Sequence, residues 1–287
     1  MPSHAPSYGS QEYWEHRFHN DSGTFDWLAD GHVLDESIRD ALKNITDPII
    51  FHIGCGTSAL SGQLRKYVRK PRQIHNLDFA HQAIDLGRQA DLKDLKQTNP
   101  SWTEEDCMRW SAGDLLDLSL IEREFEQSHR DGAPYDLIID KSTTDSISCA
   151  EDVIVSLPYS LCADSYQDSP RQASVHPVNV LAVHMAALTP PSSGRWICLS
   201  YSSDRFRFLI DDSKTGLDGL LVEDHIPAGF PDPKVLWRLE KKYPVQAFQE
   251  PHPDSRNGPM HRPEVRNWLY ILRRTEESVS EPSQRIP

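Results

Sequence analysis

Residues 49–60, IIFHIGCGTSAL, constrain this chain more than any other stretch. Ile49, Ile50, Phe51 and Ile53 flank His52 and read as a short buried strand. Gly54 and Gly56 then turn the chain into a helix that begins near Ala59. Glycine has no Cβ, so positive φ costs it little and a ligand can approach its backbone closely. A strand, a glycine turn and a helix in this order hold nucleotide-type ligands at the carboxyl end of the strand in doubly wound α/β proteins. The pattern Gly54-x-Gly56-x-x-Ala59 points to an adenosine-containing cofactor, and it fits a nicotinamide dinucleotide as well as any other.

Three later segments narrow the choice. Residues 74–80, IHNLDFA, read as a second apolar strand ending in Asp78, 22 positions after Gly56. An acidic side chain at that spacing can accept both ribose hydroxyl hydrogens. Residues 108–116, MRWSAGDLL, read as a third strand leading to Asp114, whose carboxylate would reach the same crevice and accept from an adenine amino group. A nicotinamide enzyme has no particular need of that acid. Residues 135–145, YDLIIDKSTTD, hold the fully apolar run Leu137, Ile138 and Ile139, as expected of a strand covered on both faces, and emerge into Asp140, Lys141 and Ser142.

These motifs, in this order, resemble the class I, seven-β-strand, S-adenosylmethionine-dependent methyltransferases. The closer resemblance is to the enzymes that methylate lysine in translation elongation factor 1-alpha. It rests on Glu12, Tyr13, Trp14, Arg17 and Phe18, then Phe25, Asp26 and Trp27, and on the run Asp140, Lys141, Ser142, Thr143, Thr144, Asp145. It covers residues 8–148 best and continues weakly through 195–208 and 265–274. The resemblance implies a Rossmann-like, doubly wound, mostly parallel seven-stranded sheet with an antiparallel C-terminal strand. It implies S-adenosyl-L-methionine as cofactor. Gly54 would face its methionine part, Asp78 its ribose, and Phe79 its adenine. Asp114 would meet the adenine edge by side chain and Leu115 by backbone, while Asp140 would lie near the methionyl amino group. Trp14, Phe18 and Trp27 would close over the cofactor, with Arg17 pairing the methionine carboxylate. The family usually carries Gly where this chain has Ser142, a difference expected to reshape the substrate entrance.

The aromatic arm also has a physical rationale of its own. Trp and Tyr offer large apolar faces and cation–π surfaces to a sulfonium. Tyr13 is read as core packing, and His52, between Phe51 and Ile53, as a packed strand histidine. Asp145 and Tyr201 are read as residues able to accept a proton or orient the acceptor, and Asp145 equally as the cap of the helix after the fourth strand. No residue is assigned a catalytic role.

A formal net charge of −13 argues against binding to nucleic acid backbones and would suit a basic protein partner through steering. Cys55, Cys107, Cys149, Cys162 and Cys198 are scattered, with neither zinc spacing nor the count of a secreted disulfide framework. His252 and His261 fall in a proline-rich loop and read as solvent-facing. No signal pattern opens the sequence and no apolar run approaches bilayer length, so a cytoplasmic protein without membrane contact is expected.

The expected organisation is one methyltransferase domain over residues 1–274, with a cofactor-covering arm at 8–48 and inserts at 150–177 and 209–233. A disordered tail is expected at 275–287. Helices are expected at 34–45, 59–68, 81–96, 121–130 and 177–188, and late strands at 195–201, 236–245 and 265–274. The 150–177 stretch reads as a polar lid or surface excursion. The leading functional expectation is methyl transfer to a protein lysine. A small-molecule methyltransferase of a biosynthetic pathway, an NAD(P)-dependent oxidoreductase and a catalytically silent cofactor-binding partner remain open.

Overall fold

The computed structural model describes residues 6–130, 134–161, 171–209, 226–246 and 266–279. The arm contributes helices α1 (Gln11–Asn20) and α2 (Asp35–Leu42). Strand β1 (Ile50–Ile53) is buried at every position and passes through the glycine turn into the short helix α3 (Leu60–Leu64). Strand β2 (Ile74–Asp78), helix α4 (His81–Thr98), strand β3 (Arg109–Ala112) and helix α5 (Leu118–Arg130) follow. Strand β4 (Leu137–Lys141) is again buried throughout and leads to α6 (Thr143–Ile147). Then come β5 (Val153–Leu157), β6 (Arg171–Val175), α7 (Pro177–Leu188), β7 (Arg195–Ser200), α8 (Pro233–Leu236), β8 (Trp237–Gln246) and β9 (Arg266–Arg274).

Seven of these strands form one sheet in the order β3-β2-β1-β4-β7-β9-β8. Strands β3, β2, β1, β4 and β7 are parallel, whereas β9 is antiparallel to both β7 and β8. The chain winds outward from β1 to β3, then returns to lay β4 on the other side of β1. That reversal opens a crevice beyond the carboxyl ends of β1 and β4, where doubly wound sheets bind ligands. Register brings the motifs to that edge, because Ile53 pairs with both Leu77 and Asp140. The Rossmann-like, mostly parallel seven-stranded sheet expected from the sequence is present, with its antiparallel C-terminal strand.

Apolar cores lie on both faces of the sheet. One joins Phe51, Ile138, Trp196 and Trp237 to α7, and the other joins Ile50, Ile139, Ile197 and Ile271 to Leu34 and Ile38 of the arm. Helix α7 is buried at all twelve positions, which suits a segment apolar on every side.

The 150–177 stretch departs from expectation. Strands β5 and β6 pair antiparallel as a separate two-stranded sheet, and Val155, Leu157 and Val175 enter the core beside α7. The inward alternation is short and broken by small or polar partners, which is why it reads as a polar excursion. Helix α4 runs on to Thr98, and the helix expected at 59–68 is α3 followed by a 3₁₀ turn over Arg65–Tyr67. The tail expected to be disordered is held at its start. Thr275 N donates to Leu236 O at 3.0 Å, and Arg274 donates to Glu277 O at 2.6 Å. Residues 162–170, 210–225, 247–265 and 280–287 lie outside the described residues, and with them Cys162, most of the second insert, the loop holding His252 and His261, and the rest of the tail. Among the described residues no helix is long and apolar enough to cross a membrane, and no group of three or more His, Cys, Asp or Glu is placed to hold a metal ion.

Candidate active site

The crevice is a cleft with about 940 Å³ of atom-free space, its open mouth included. Gly54 and Gly56 form its floor with φ of 54° and 50°. A Cβ on Gly54 would fall on the Thr143 side chain, and one on Gly56 would come within 3.2 Å of the Phe18 ring. The close approach of β1, β4 and the arm therefore requires glycine here.

Asp78 ends β2 with 6% of its surface exposed. Its carboxylate accepts from Gly56 N at 2.8 Å and from Ala80 N at 2.9 Å, so it fixes the glycine turn while lining the cleft. Burial pushes its pKa up to about 6, with the Glu15 charge adding to the rise, against the pull of the Ala80, Gly56 and Phe79 N–H groups. Asp114 lines the same cleft from the loop after β3, and its Oδ1 accepts from Leu116 N at 2.9 Å.

The arm forms the roof. Trp14 and Phe18 lie one turn apart on α1, both buried, with rings stacked at 5.8 Å. Trp27 packs edge-on against Trp14 and Tyr8. Polar links tie this roof to the floor. Gln11 donates to Phe79 O at 2.6 Å, and Glu15 accepts from His81 N at 2.7 Å and Gln82 N at 3.2 Å, capping α4 from another segment. Burial works against the Glu15 charge, but these N–H groups and the His81 ring hold its pKa below the usual range.

Lys141 closes the other side. Its side chain is 4% exposed, its Nζ lies 3.1 Å from Asp26 Oδ1, and it donates to Trp27 O at 3.0 Å. Burial lowers its pKa, and the Asp26 carboxylate opposes the fall. Ser58 Oγ donates to the same Asp26 oxygen.

Eight of the nine expected site residues line the cleft together: Trp14, Phe18, Trp27, Gly54, Asp78, Phe79, Asp114 and Leu115. Asp140 does not. It is fully buried behind the lining, where its carboxylate accepts from Thr143 N at 2.8 Å, Thr144 N at 3.2 Å and Thr144 Oγ1. Residues that follow it closely in the motif supply these partners, so it anchors α6 rather than facing a ligand. Arg17 is also absent from the lining and lies with its guanidinium 3.9 Å from the Phe25 ring centroid. Asp145 is taken by Arg205 at 2.8 Å, by Ser200 and by Tyr201 N, and Tyr201 is 52% exposed; neither lines the cleft. His52 is buried in β1 with Nδ1 3.1 Å from both Ser61 Oγ and Asn76 Oδ1, and it also borders the cleft, which the reading as a packed strand histidine did not foresee.

Sequence reasoning missed several lining residues, among them Tyr8, Gly9, Thr143, Ser146 and Ile147. The Asp26–Lys141 pair was visible only as two members of separate motifs, since nothing in the sequence joins positions so far apart.

Fold and site together define a Rossmann-like α/β protein with an aromatic-roofed cleft at the switch point of its sheet. No protein-family model matches the chain. Methyltransferase srdJ of Neurospora crassa is 30% identical over 149 residues, which cover 51% of this chain and 57% of that protein. The chain thus matches little more than half the length of this relative. Among solved structures, magnesium protoporphyrin IX methyltransferase (ChlM) from Synechocystis PCC 6803 with bound SAM is 11% identical with a TM-score of 0.45, over 96% of this chain and 100% of that one. A putative methyltransferase in complex with the Trm112 activator of Haloferax volcanii is 11% identical with a TM-score of 0.43, over 95% and 100%.

Proposed function

We propose that the protein is an S-adenosylmethionine-dependent methyltransferase. The observation that carries this reading is the convergence of Asp78 and Asp114 on one cleft under the Trp14, Phe18 and Trp27 roof. The cofactor fits the residues present. Although Gly56 N and Ala80 N donate to the Asp78 carboxylate, burial still raises its pKa, and ribose hydroxyls would add donors from the cleft side. Asp78 would hold the ribose, Phe79 would lie against the adenine, and Asp114 with the Leu115 N–H would meet its edge. The glycine turn would receive the methionine part. A bound sulfonium supplies an activated methyl group whose leaving group is neutral. The protein's own task is to align donor and acceptor and to exclude water, which the arm does.

For the acceptor we favour a protein lysine, on the motifs in the arm and after β4. A lysine must lose its proton to react, and an apolar passage lowers its pKa. The lining carboxylates, Asp78 and Asp114, stand after β2 and β3, away from the Lys141–Ala150 side, so desolvation by Tyr8, Phe25, Trp27 and Ile147 would have to suffice. One observation favours a small-molecule acceptor as the second reading. Gly9 lies so close to Ala150 that a Cβ would meet its backbone at 2.6 Å, so the arm leaves little room beside α6 for a protein segment. Incubating the protein with cell lysate and a radiolabelled methyl donor, then separating protein from small molecules, tests both. Label in protein supports the first, label only in small molecules supports the second, and none in either opposes methyl transfer.

A further inference from the structure

Helix α7 is apolar almost throughout, yet His184 sits in its middle with no exposed surface. Its Nδ1 lies 2.6 Å from Leu115 O, and its Nε2 lies 2.6 Å from the Tyr159 hydroxyl. A carbonyl can only accept, so Nδ1 carries the proton. Burial lowers the His184 pKa to about 4, so the ring is neutral and Nε2 accepts from Tyr159. The carbonyl it grips belongs to the Leu115–Leu116 peptide. The N–H of that same peptide donates to Asp114 Oδ1 at 2.9 Å. One peptide unit is thus clamped at its oxygen by His184 and in turn clamps the Asp114 carboxylate. Tyr159 follows β5, stacks beside the imidazole, and donates its own N–H to Gly229 O at 2.7 Å.

We infer that His184, held by Tyr159, is a positioning residue that aims the Asp114 carboxylate at the 6-amino group of the bound purine, and so links the β5–β6 hairpin to nucleoside selection. The inference rests on the proposed cofactor reading. A leucine at position 184 would suit the surrounding core better, but it would leave the Leu115 carbonyl and the Tyr159 hydroxyl without partners. The peptide would then be free to rotate, and the carboxylate with it.

The test compares binding of S-adenosylhomocysteine with that of S-inosylhomocysteine, in which an oxo group replaces the 6-amino group, by calorimetry on the full chain. A site built around a donor rejects the ligand that lacks it. The wild-type protein is expected to prefer the adenosine compound by about tenfold or more, a difference equal to one well-made hydrogen bond to a charged group. H184L should bring the two affinities towards parity, mainly by weakening the adenosine compound. Y159F, which removes one hydroxyl and spares the packing, should move the preference in the same direction by less, and it carries the test if H184L does not fold. In a D114A background neither change should alter the preference further. If both variants keep the wild-type preference and lose only melting temperature, His184 is a core residue alone and the inference is overturned while the cofactor reading stands. If the wild-type protein binds neither compound, the cofactor reading falls and takes this inference with it.

Discussion

Asp78 is buried while its carboxylate holds the turn that a ligand would rest on. In the folded chain it titrates near 6, against about 4 in an unfolded one. The folded state therefore binds this proton more tightly. That contribution to stability is complete below about pH 4 and is lost as pH rises through about 6. Asp145, also raised to about 6 by burial, acts in the same sense. Ribose hydroxyls would favour the ionised form, so cofactor affinity should move oppositely and weaken as pH falls below about 6. Calorimetry with S-adenosylhomocysteine from pH 5 to 8 should show this step in the wild-type protein. Asp78→Asn should bind about ten- to a hundredfold more weakly and lack the step; the same profile in both would contradict the ribose assignment. Ser142 offers a second prediction. It holds φ at 72°, and its buried hydroxyl has no hydrogen-bond partner among the described residues. Relief of that strain, less the added chain entropy of glycine, should make Ser142→Gly more stable by about 1 kcal/mol in urea unfolding; a loss of stability would contradict the account. Asp78 at the end of β2 and Asp114 in the loop just after β3 were legible in the sequence as cleft residues. Asp140 was not, because a carboxylate at a strand end reads alike whether it faces the cleft or turns back to cap the next helix.

At the scale of elements, the arm is held down by a few polar links rather than by its helix alone. Among them the Asp26–Lys141 pair joins the arm to β4 across a nearly closed environment. Removing the carboxylate strands a buried cation. Because Asp26 keeps some exposure, Asp26→Ala should cost about 2–3 kcal/mol, at or below the range for fully buried pairs. It should also raise amide hydrogen exchange in α1 and around Trp27 and weaken cofactor binding. Unchanged exchange there would mean that aromatic packing alone closes the cleft. Elements whose pattern is long and unambiguous were readable from sequence. Helix α7 begins and ends where Pro177 and the Pro190–Pro191 pair say it should. The β5–β6 hairpin was not readable, since Ile154 faces outward and Ala173 fills an inward position, so the two-residue period is blurred.

Across the fold, the sequence carried the sheet because the apolar run of Leu137, Ile138 and Ile139 in β4 and the largely apolar β1 demand cover on both faces, as a doubly wound topology provides. It could not carry the packing of the arm onto that sheet, which depends on contacts between positions far apart in the chain. The net charge of −13 remains consistent with a basic partner. If such a partner is the acceptor, its association rate should fall steeply with added salt, as stopped-flow measurements would reveal. What the cleft holds is decided by parallel calorimetric titrations of the purified protein with S-adenosylhomocysteine and with NAD(H). One-to-one binding of S-adenosylhomocysteine is expected, weakened strongly by Asp78→Ala, with no binding of NAD(H). Binding of the nicotinamide dinucleotide without the homocysteine nucleoside would overturn the assignment of the cleft.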